Sequence, residues 1–303
     1  MISNTSTMNS GLPTAVTIKV ADIVFALSCN TTQQFFLRDQ SYKDFYCDGR
    51  PEVKIDVSFD GVPHVPLHGK DRIFDSGELW SLYRIDGKLA VVLGALLRGN
   101  IPYRVGVFNS DFKQGRIYSL FPEKGDFTNK FMSNPFGYPL AEVLMICLLA
   151  QGRGLMAHAC GIDDSGRGYL FAGNSTHGKS TVARLWKDNA LVLNDDRIVL
   201  RLRSGRFWMY GTPWHGDYSG VSPHGVPLEK IFFLRHAQTN SFSRREGVAA
   251  ASMLFTRCFP PLWDAEGMKF TLDFCAQLVD AVPCYKLDFV PDENIIDFVR
   301  CVK

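Results

Sequence analysis

Up to about residue 135, apolar residues come in short runs separated by turn-forming residues, with no long helical stripe. Residues 16–27 (VTIKVADIVFAL) read as a strand, rich in Val, Ile and Phe. Further strands are expected at 54–59 (KIDVSF), 79–85 (LWSLYRI), 89–93 and 103–108 (YRVGVF). Asp86-Gly87 between two of these runs has the composition of a two-residue hairpin turn, and Asp60-Gly61 closes another run. This pattern predicts a mostly β N-terminal region reaching to about Pro122. The polar, Ser/Thr/Asn-rich start of the chain reads as a disordered tail over 1–14.

The pattern changes after 135–139 (PFGYP), whose composition is that of a loop and marks a boundary. A helix is expected over 140–151, with Glu142 in its first turn and Gly152 and Gly154 as its stop. A hairpin follows, from 156–163 through Ser165-Gly166 to 168–172 (GYLFA). Beyond it the spacing predicts a helix over 181–188 and strands at 191–194, 198–202, 207–210 and 231–234 (IFFL). Residues 253–257 and 269–279 read as helices and 285–290 (YKLDFV) as a strand. Pro291-Asp292-Glu293 opens a last helix over 294–299, with the proline at its first position. The expected organisation is a tail (1–14), a mostly β domain (15–134) and an α/β domain (135–303), with no internal repeat.

Composition narrows the function classes. The chain has 303 residues, 46% hydrophobic and 21% charged, with a formal net charge of +2. That is an ordinary globular balance for one or two domains, with no basic field pointing to nucleic acid or anionic lipid. Eight cysteines (Cys29, Cys47, Cys147, Cys160, Cys258, Cys275, Cys284, Cys301) are scattered without a CxxC pair. They argue against a zinc or thioredoxin-type motif and read as reduced thiols of a cytosolic protein. No secretory signal is evident, and the longest apolar run, 143–150 (VLMICLLA), is far short of the roughly 18 residues that span a bilayer. It reads as a core helix, so no membrane partner is expected and the location expected is cytoplasmic.

The strongest chemical signal is GNSTHGKS, formed by Gly173, Asn174, Ser175, Thr176, His177, Gly178, Lys179 and Ser180, with Thr181 following. It fits GxxxxGK[ST] at every required position. Glycines let the backbone turn and approach phosphate oxygens, and successive N–H groups make an anion nest at a helix N-terminus. Lys179 would reach the β- and γ-phosphates, and Ser180 would offer its hydroxyl to Mg²⁺. An apolar strand enters and a helix leaves, as the motif demands. His177 is a variable position, expected to face solvent.

Residues 191–196 (LVLNDD) form an apolar strand ending in two carboxylates. Beside a phosphate loop, such acids supply a hard oxygen ligand for Mg²⁺ and a proton acceptor for an attacking hydroxyl. The competing reading is a solvated turn in which Arg197 pairs one acid. His158, in MAHAC, lies on the strand before the loop strand. Spacing alone makes it a core histidine.

His158, the 173–180 loop and the 191–196 strand, in that order and spacing, resemble the HPr kinase/phosphorylase family and its wider set of kinase-like relatives. ATP-dependent phosphoenolpyruvate carboxykinases share a related core. The motif-bearing match covers about 156–201, and a looser similarity runs to the C-terminus. The resemblance implies a carboxykinase-like P-loop core with a mixed sheet, an α/β (α+β) fold preceded by the mostly β region. It implies Asp195 as the general base, Asp196 beside the metal, and His158 tuning the acids, with ATP and Mg²⁺ as cofactors. Enzymes of the family form hexamers, which leaves a homo-oligomer open.

The departures redirect the substrate. Thr181 stands where HPr kinases proper often carry Glu, and their C-terminal signature is absent. Residues 210–217 (YGTPWHGD) resemble relatives found beside peptide-tailoring and cofactor-biosynthesis pathways, some of which phosphorylate a peptide serine. The acceptor implied is therefore a hydroxyl of a peptide, protein or small molecule other than HPr. In this turn, His215 and Asp217 are candidate substrate contacts together with Trp214; the alternative is a structural turn with Trp214 packed inward.

Weaker signals remain. His64 and His68 have metal-like spacing but read as loop; Asn4-Thr5-Ser6 and Asn30-Thr31-Thr32 match a glycosylation acceptor without its context; Arg244-Arg245 reads as solvated surface. The function expected is an Mg²⁺·ATP-dependent kinase. The alternatives are a nucleotide-binding switch that hydrolyses slowly or not at all, a phosphorylase, or a carboxykinase-like enzyme.

Overall fold

The computed structural model describes residues 15–29, 39–62, 69–77, 79–94, 102–120 and 134–302. The expected tail, the His64/His68 pair and both glycosylation-like triplets lie outside these residues. No helix among the described residues is long and apolar enough to cross a membrane.

The first sheet takes its strands from the N-terminal region: β1 (Ala15–Val20), β2 (Ile23–Cys29), β3 (Val53–Ser58), β4 (Arg72–Asp75), β5 (Trp80–Ile85), β6 (Lys88–Leu93), β7 (Arg104–Phe108) and β8 (Gln114–Ser119). Their order is β1-β2-β3-β8-β7-β6-β5-β4, with β2–β3 and β3–β8 parallel and the rest antiparallel. Residues 16–27, expected as one strand, are a hairpin: Ala21 and Asp22 turn the chain with φ of 50° and 60°. The apolar run continues through the turn because Ala21 is itself buried, so periodicity gave no break. Asp86-Gly87 makes the expected hairpin turn, φ 48° and 73°. β4 and β8 are strands that the pattern did not single out.

Helix α1 (Leu140–Ala150) is apolar on nearly every side and buried, as a helix enclosed in a core must be. It packs against β6 and against the second half of the chain. Gly106 in β7 admits it: a Cβ there would stand 2.7 Å from Leu140 Cδ1. The cluster around α1 joins the face of the first sheet to Met156, Val199, Tyr210 and Trp214. Polar ties cross the same junction. Arg201 donates to the Ala21 carbonyl, Tyr210 Oη to Asp22 Oδ2 (2.9 Å) and Trp214 Nε1 to Tyr42 Oη (2.8 Å).

The second sheet holds β9 (Leu155–Asp164), β10 (Arg167–Ala172), β11 (Leu191–Asn194), β12 (Arg197–Arg203), β13 (Arg206–Tyr210), β14 (Gly225–His236), β15 (Ser241–Arg245) and β16 (Cys284–Phe289). Its order is β10-β9-β12-β13-β14-β16-β15, with β11 on β9 and a further parallel pairing of β10 to β14. With two mixed sheets and helices, the fold is α+β. The helices are α2 (Lys179–Trp186), α3 (Gly247–Phe255), α4 (Ala265–Ala281) and α5 (Asn294–Cys301).

Alternation along β10 explains its continuous apolar run. Leu170 and Ala172 face the cluster under α3 and α4, whereas Tyr169 and Phe171 face the cluster under α2 and α5. Both faces are covered, so both must be apolar. Two details depart from expectation. α3 begins at Gly247, earlier than the run 253–257. Pro291 is not the first residue of α5: Glu293 is its N-cap, and Asp292 Oδ1 accepts from Asn294 N (3.0 Å).

Candidate active site

The long strand β9 has β10 on one edge and β11 and β12, one after the other, on the other edge. Residues 155–158 pair with β12, ending at His158↔Arg197, and 159–164 pair with β10, beginning at Ala159↔Ala172. β11 pairs with 161–163 on the edge of β9 that β12 also uses, and Asp195 and Asp196 form the break between the end of β11 and the start of β12. His158, in register with Arg197, is therefore placed beside the acid pair at this break. Its backbone N–H donates to the Arg257 carbonyl (2.7 Å), and that of Ala159 to the Asp196 carbonyl (3.2 Å).

The segment 173–178 joins β10 to α2. Thr176 and Gly178 adopt φ of 69° and 94°. A Cβ at Gly178 would meet the Phe289 ring at 2.6 Å and His236 Cε1 at 3.0 Å. Only glycine fits, because both the left-handed backbone and the space demand it. At Gly173 a Cβ would stand 2.9 Å from His177 Cβ. His236 braces the loop through Nε2 and the Thr176 carbonyl (3.0 Å) and lies against Phe289 (5.0 Å between rings). His177 does not face solvent as expected. It is half-buried, with Nδ1 buried and unpartnered. The loop folds back through His177 N donating to Asn174 O (3.2 Å), which turns the ring inward.

Lys179 is 7% exposed, and its ammonium donates to the Asn174 carbonyl (3.1 Å). Burial pulls its pKa down, and the charges of Asp196 and Asp195 only partly oppose that. A buried ammonium with a neutral partner gains by meeting an anion. Ser180 Oγ donates to Asp195 Oδ2 (2.6 Å), and the N–H groups of Gly216 and Tyr218 donate to Asp195 Oδ1 (2.7 Å) and Oδ2 (3.0 Å). Asp195 is fully buried.

Asp196 is different: it is half-buried and lines two adjoining cavities. His158 Nε2 lies 2.8 Å from Asp196 Oδ1, and Arg197 Nη1 donates to Oδ2. Burial pushes the Asp196 pKa up, but the His158 hydrogen bond and the Arg197 charge outweigh it and hold the carboxyl below its ordinary value. Arg197 Nε donates to Glu142 Oε2 (2.8 Å), and its guanidinium lies over Phe259, 4.2 Å from the ring centroid. Burial raises the Glu142 pKa, and Arg197 opposes that.

Asn194 shapes the whole turn. Its Oδ1 accepts from the N–H groups of Asp196 (2.6 Å) and Arg197 (2.9 Å), while Nδ2 donates to the carbonyls of Thr212 (2.8 Å) and Trp214 (3.0 Å). One buried amide thus sets the acid pair and ties it to the 212–216 loop. Sequence reasoning took Asn194 as a strand end and Glu142 as a first-turn acid. Neither has a local pattern that reveals a partner 18 or 55 residues away.

The first cavity, about 400 Å³, is lined by Ser175, Thr176, Gly178, Lys179, Ser180, Thr181, His158, Arg184, Asp196, Gly216, Asp217 and His236. Asp217 is thereby brought to the loop. The second, about 620 Å³, has Trp214 and His215 in its wall. Trp214, proposed as a substrate contact, is 7% exposed and packed inward, with Nε1 bound to Tyr42. It follows the structural alternative because the indole closes the junction with the N-terminal region. Arg244 is held by Glu246 (3.0 Å) and Tyr285 (3.1 Å) at the surface. Among the described residues no group of three or more His, Cys, Asp or Glu is assembled for a metal.

No family model matches this chain, and no curated protein matches it. A solved structure, the Hpr(Ser) kinase/phosphatase from Coxiella burnetii, aligns with a TM-score of 0.29 and 9% sequence identity, over 48% of this chain and 85% of that one. The likeness is distant, and at that TM-score it carries no argument about this chain.

Proposed function

We propose that this protein is an Mg²⁺-dependent phosphotransferase that moves the γ-phosphoryl group of ATP to a hydroxyl. The observation that carries the reading is the division of the acid pair. Asp195 is buried and bound to Ser180, while Asp196 opens onto two adjoining cavities with His158 at 2.8 Å. The order of His158, loop and Asp-Asp strand that resembles HPr kinase-like enzymes supports the same reading.

The residues of the first cavity suit a nucleotide's phosphates: a buried ammonium whose hydrogen bond goes to a neutral carbonyl, and a glycine position closed to any side chain. Ser180 and Asp195 would hold Mg²⁺, whose remaining ligands come from phosphate and water. Bound Mg²⁺·ATP supplies the phosphoryl group and divalent charge. Lys179 offsets negative charge on the phosphates. Asp196 accepts the proton of the acceptor hydroxyl as the new O–P bond forms and the bond to ADP breaks. His158 orients Asp196 and spreads its charge. These roles reverse the assignment that the family resemblance implies for Asp195 and Asp196, because Asp195 has no open face toward an acceptor.

The test is transfer from γ-labelled ATP with Mg²⁺ into cell extract fractionated by size. Label in one fraction, lost with Lys179→Ala and with Asp196→Asn, supports the kinase. Label recovered only as inorganic phosphate, or retained on unturned ATP, supports a nucleotide switch instead.

A further inference from the structure

We propose that the second cavity is the acceptor site and that it selects small hydroxyl compounds carrying an ammonium group; this rests on the phosphotransfer reading above. The cavity, about 620 Å³, lies within the size range of small-molecule sites. Among the described residues, Asp196 is the one side chain that lines both cavities. A hydroxyl in this cavity can reach Asp196, the residue it shares with the first cavity.

The chemistry of the walls sets the class. Asp39, Glu142 and Asp196 contribute carboxylates, and Arg197 is the one guanidinium or ammonium among the described lining residues. Arg197 is already engaged by Glu142 and Asp196. Among the described residues, Asp39 has neutral donors alone: Ser41 N (3.2 Å) and Ser41 Oγ (2.6 Å) to Oδ1, and Asn134 Nδ2 (3.1 Å) to Oδ2. Among the described lining residues, carboxylates therefore outnumber cations, and Asp39 is the carboxylate held by neutral donors. An ammonium offsets that charge, whereas an anionic acceptor is repelled by it. Tyr138 lines the same space, and an aromatic surface favours an ammonium further. Two-point binding follows: the ammonium at Asp39, the hydroxyl at Asp196.

This arrangement gives the N-terminal region a task. Asp39 and Tyr42 come from a short 3-10 turn outside the second sheet, with Asp39 as its N-cap. Tyr42 Oη donates to Phe136 O (2.7 Å) and accepts from Trp214 Nε1 (2.8 Å), so the turn is fastened to the loop that follows β13. The specificity residue arrives from one sheet's connections and the reacting acid from the other's.

The experiment compares matched alcohols as acceptors with Mg²⁺·ATP: ethanolamine, ethylene glycol and glycolate, and glucosamine beside glucose. Nucleotide binding is titrated in parallel, and saturation-transfer NMR with Mg²⁺·ADP reports binding of each alcohol. The expected result is at least a tenfold preference for the ammonium compounds in transfer or in binding, collapsing with Asp39→Asn while nucleotide affinity is unchanged. Asn at this position keeps the oxygen that caps the turn. Equal use or equal binding of neutral and ammonium compounds overturns the proposal, as does a preference that survives Asp39→Asn. A protein that binds no nucleotide contradicts the phosphotransfer reading instead, and the NMR arm still decides the cation site.

Discussion

His158 Nε2 stands 2.8 Å from Asp196 Oδ1 at the break between β11 and β12, which follow one another along one edge of β9. The pairing follows from register: His158 of β9 stands opposite Arg197, and the two-residue break between β11 and β12 sets Asp196 beside it. Neighbouring Asp195, one residue earlier, is turned into the interior and bound by Ser180. A single residue step separates a carboxylate with no exposure from one that meets two cavities.

The first prediction concerns the metal. Ser180→Ala and Asp195→Asn each break the link at 2.6 Å. Loss of a metal ligand or of the group that orients it costs about 10–100-fold in metal affinity. Calorimetric titration of ATP should show that Mg²⁺ strengthens binding to the wild type but has little effect on either variant.

Gly178→Ala should damage the loop. The new Cβ would stand 2.6 Å from the Phe289 ring with φ at 94°. Strain of this kind costs roughly 1–3 kcal/mol. Urea unfolding should report that loss, and nucleotide should no longer raise the melting temperature.

Asn194→Ala removes five hydrogen bonds, to Asp196 N, Arg197 N, Thr212 O, Thr212 Oγ1 and Trp214 O. Each buried group left unsatisfied costs about 1–3 kcal/mol, with some recovered by relaxation. The expected loss is about 3 kcal/mol in urea unfolding. Transfer activity should fall further than stability explains, because the Asp196 turn is no longer held.

Much of this site was legible in the residues themselves. The loop motif and the Asp-Asp strand end are local patterns, and Ser165-Gly166 marked the hairpin that brings His158 next to the loop strand. The hairpin within 16–27 was not legible, because a buried Ala21 in the turn kept the apolar run unbroken. Nor were Asn194 and Glu142, whose partners are set by tertiary folding. β15 escaped notice because Ser241–Arg245 is an exposed edge strand with no apolar alternation.

Acid stability should depend on Asp164. This buried carboxylate accepts from Arg300 (2.8 and 3.0 Å) and Arg167 (2.7 Å). The Arg300 hydrogen bonds lower its pKa against the opposing effect of burial, and Arg167 adds to the lowering. A depressed folded-state pKa gives stability that is full above the unfolded value of about 3.9 and lost as pH falls through the folded value. Asp164→Asn should cost about 2 kcal/mol near neutrality, below the roughly 3–5 kcal/mol of a fully buried pair, because both arginines reach solvent. Urea unfolding from pH 7 to pH 3 should show the gap between wild type and variant narrowing at the acid end.

The central claim is that Asp196 takes the acceptor proton while the loop and Asp195 hold the nucleotide. Single-turnover transfer from γ-labelled ATP, with nucleotide affinity titrated on the same samples, tests it most directly. Asp196→Asn should bind Mg²⁺·ATP as the wild type does and transfer about 10²–10⁴-fold more slowly. Transfer at the wild-type rate by Asp196→Asn, with the loss falling on Asp195→Asn at unchanged affinity, would contradict the account.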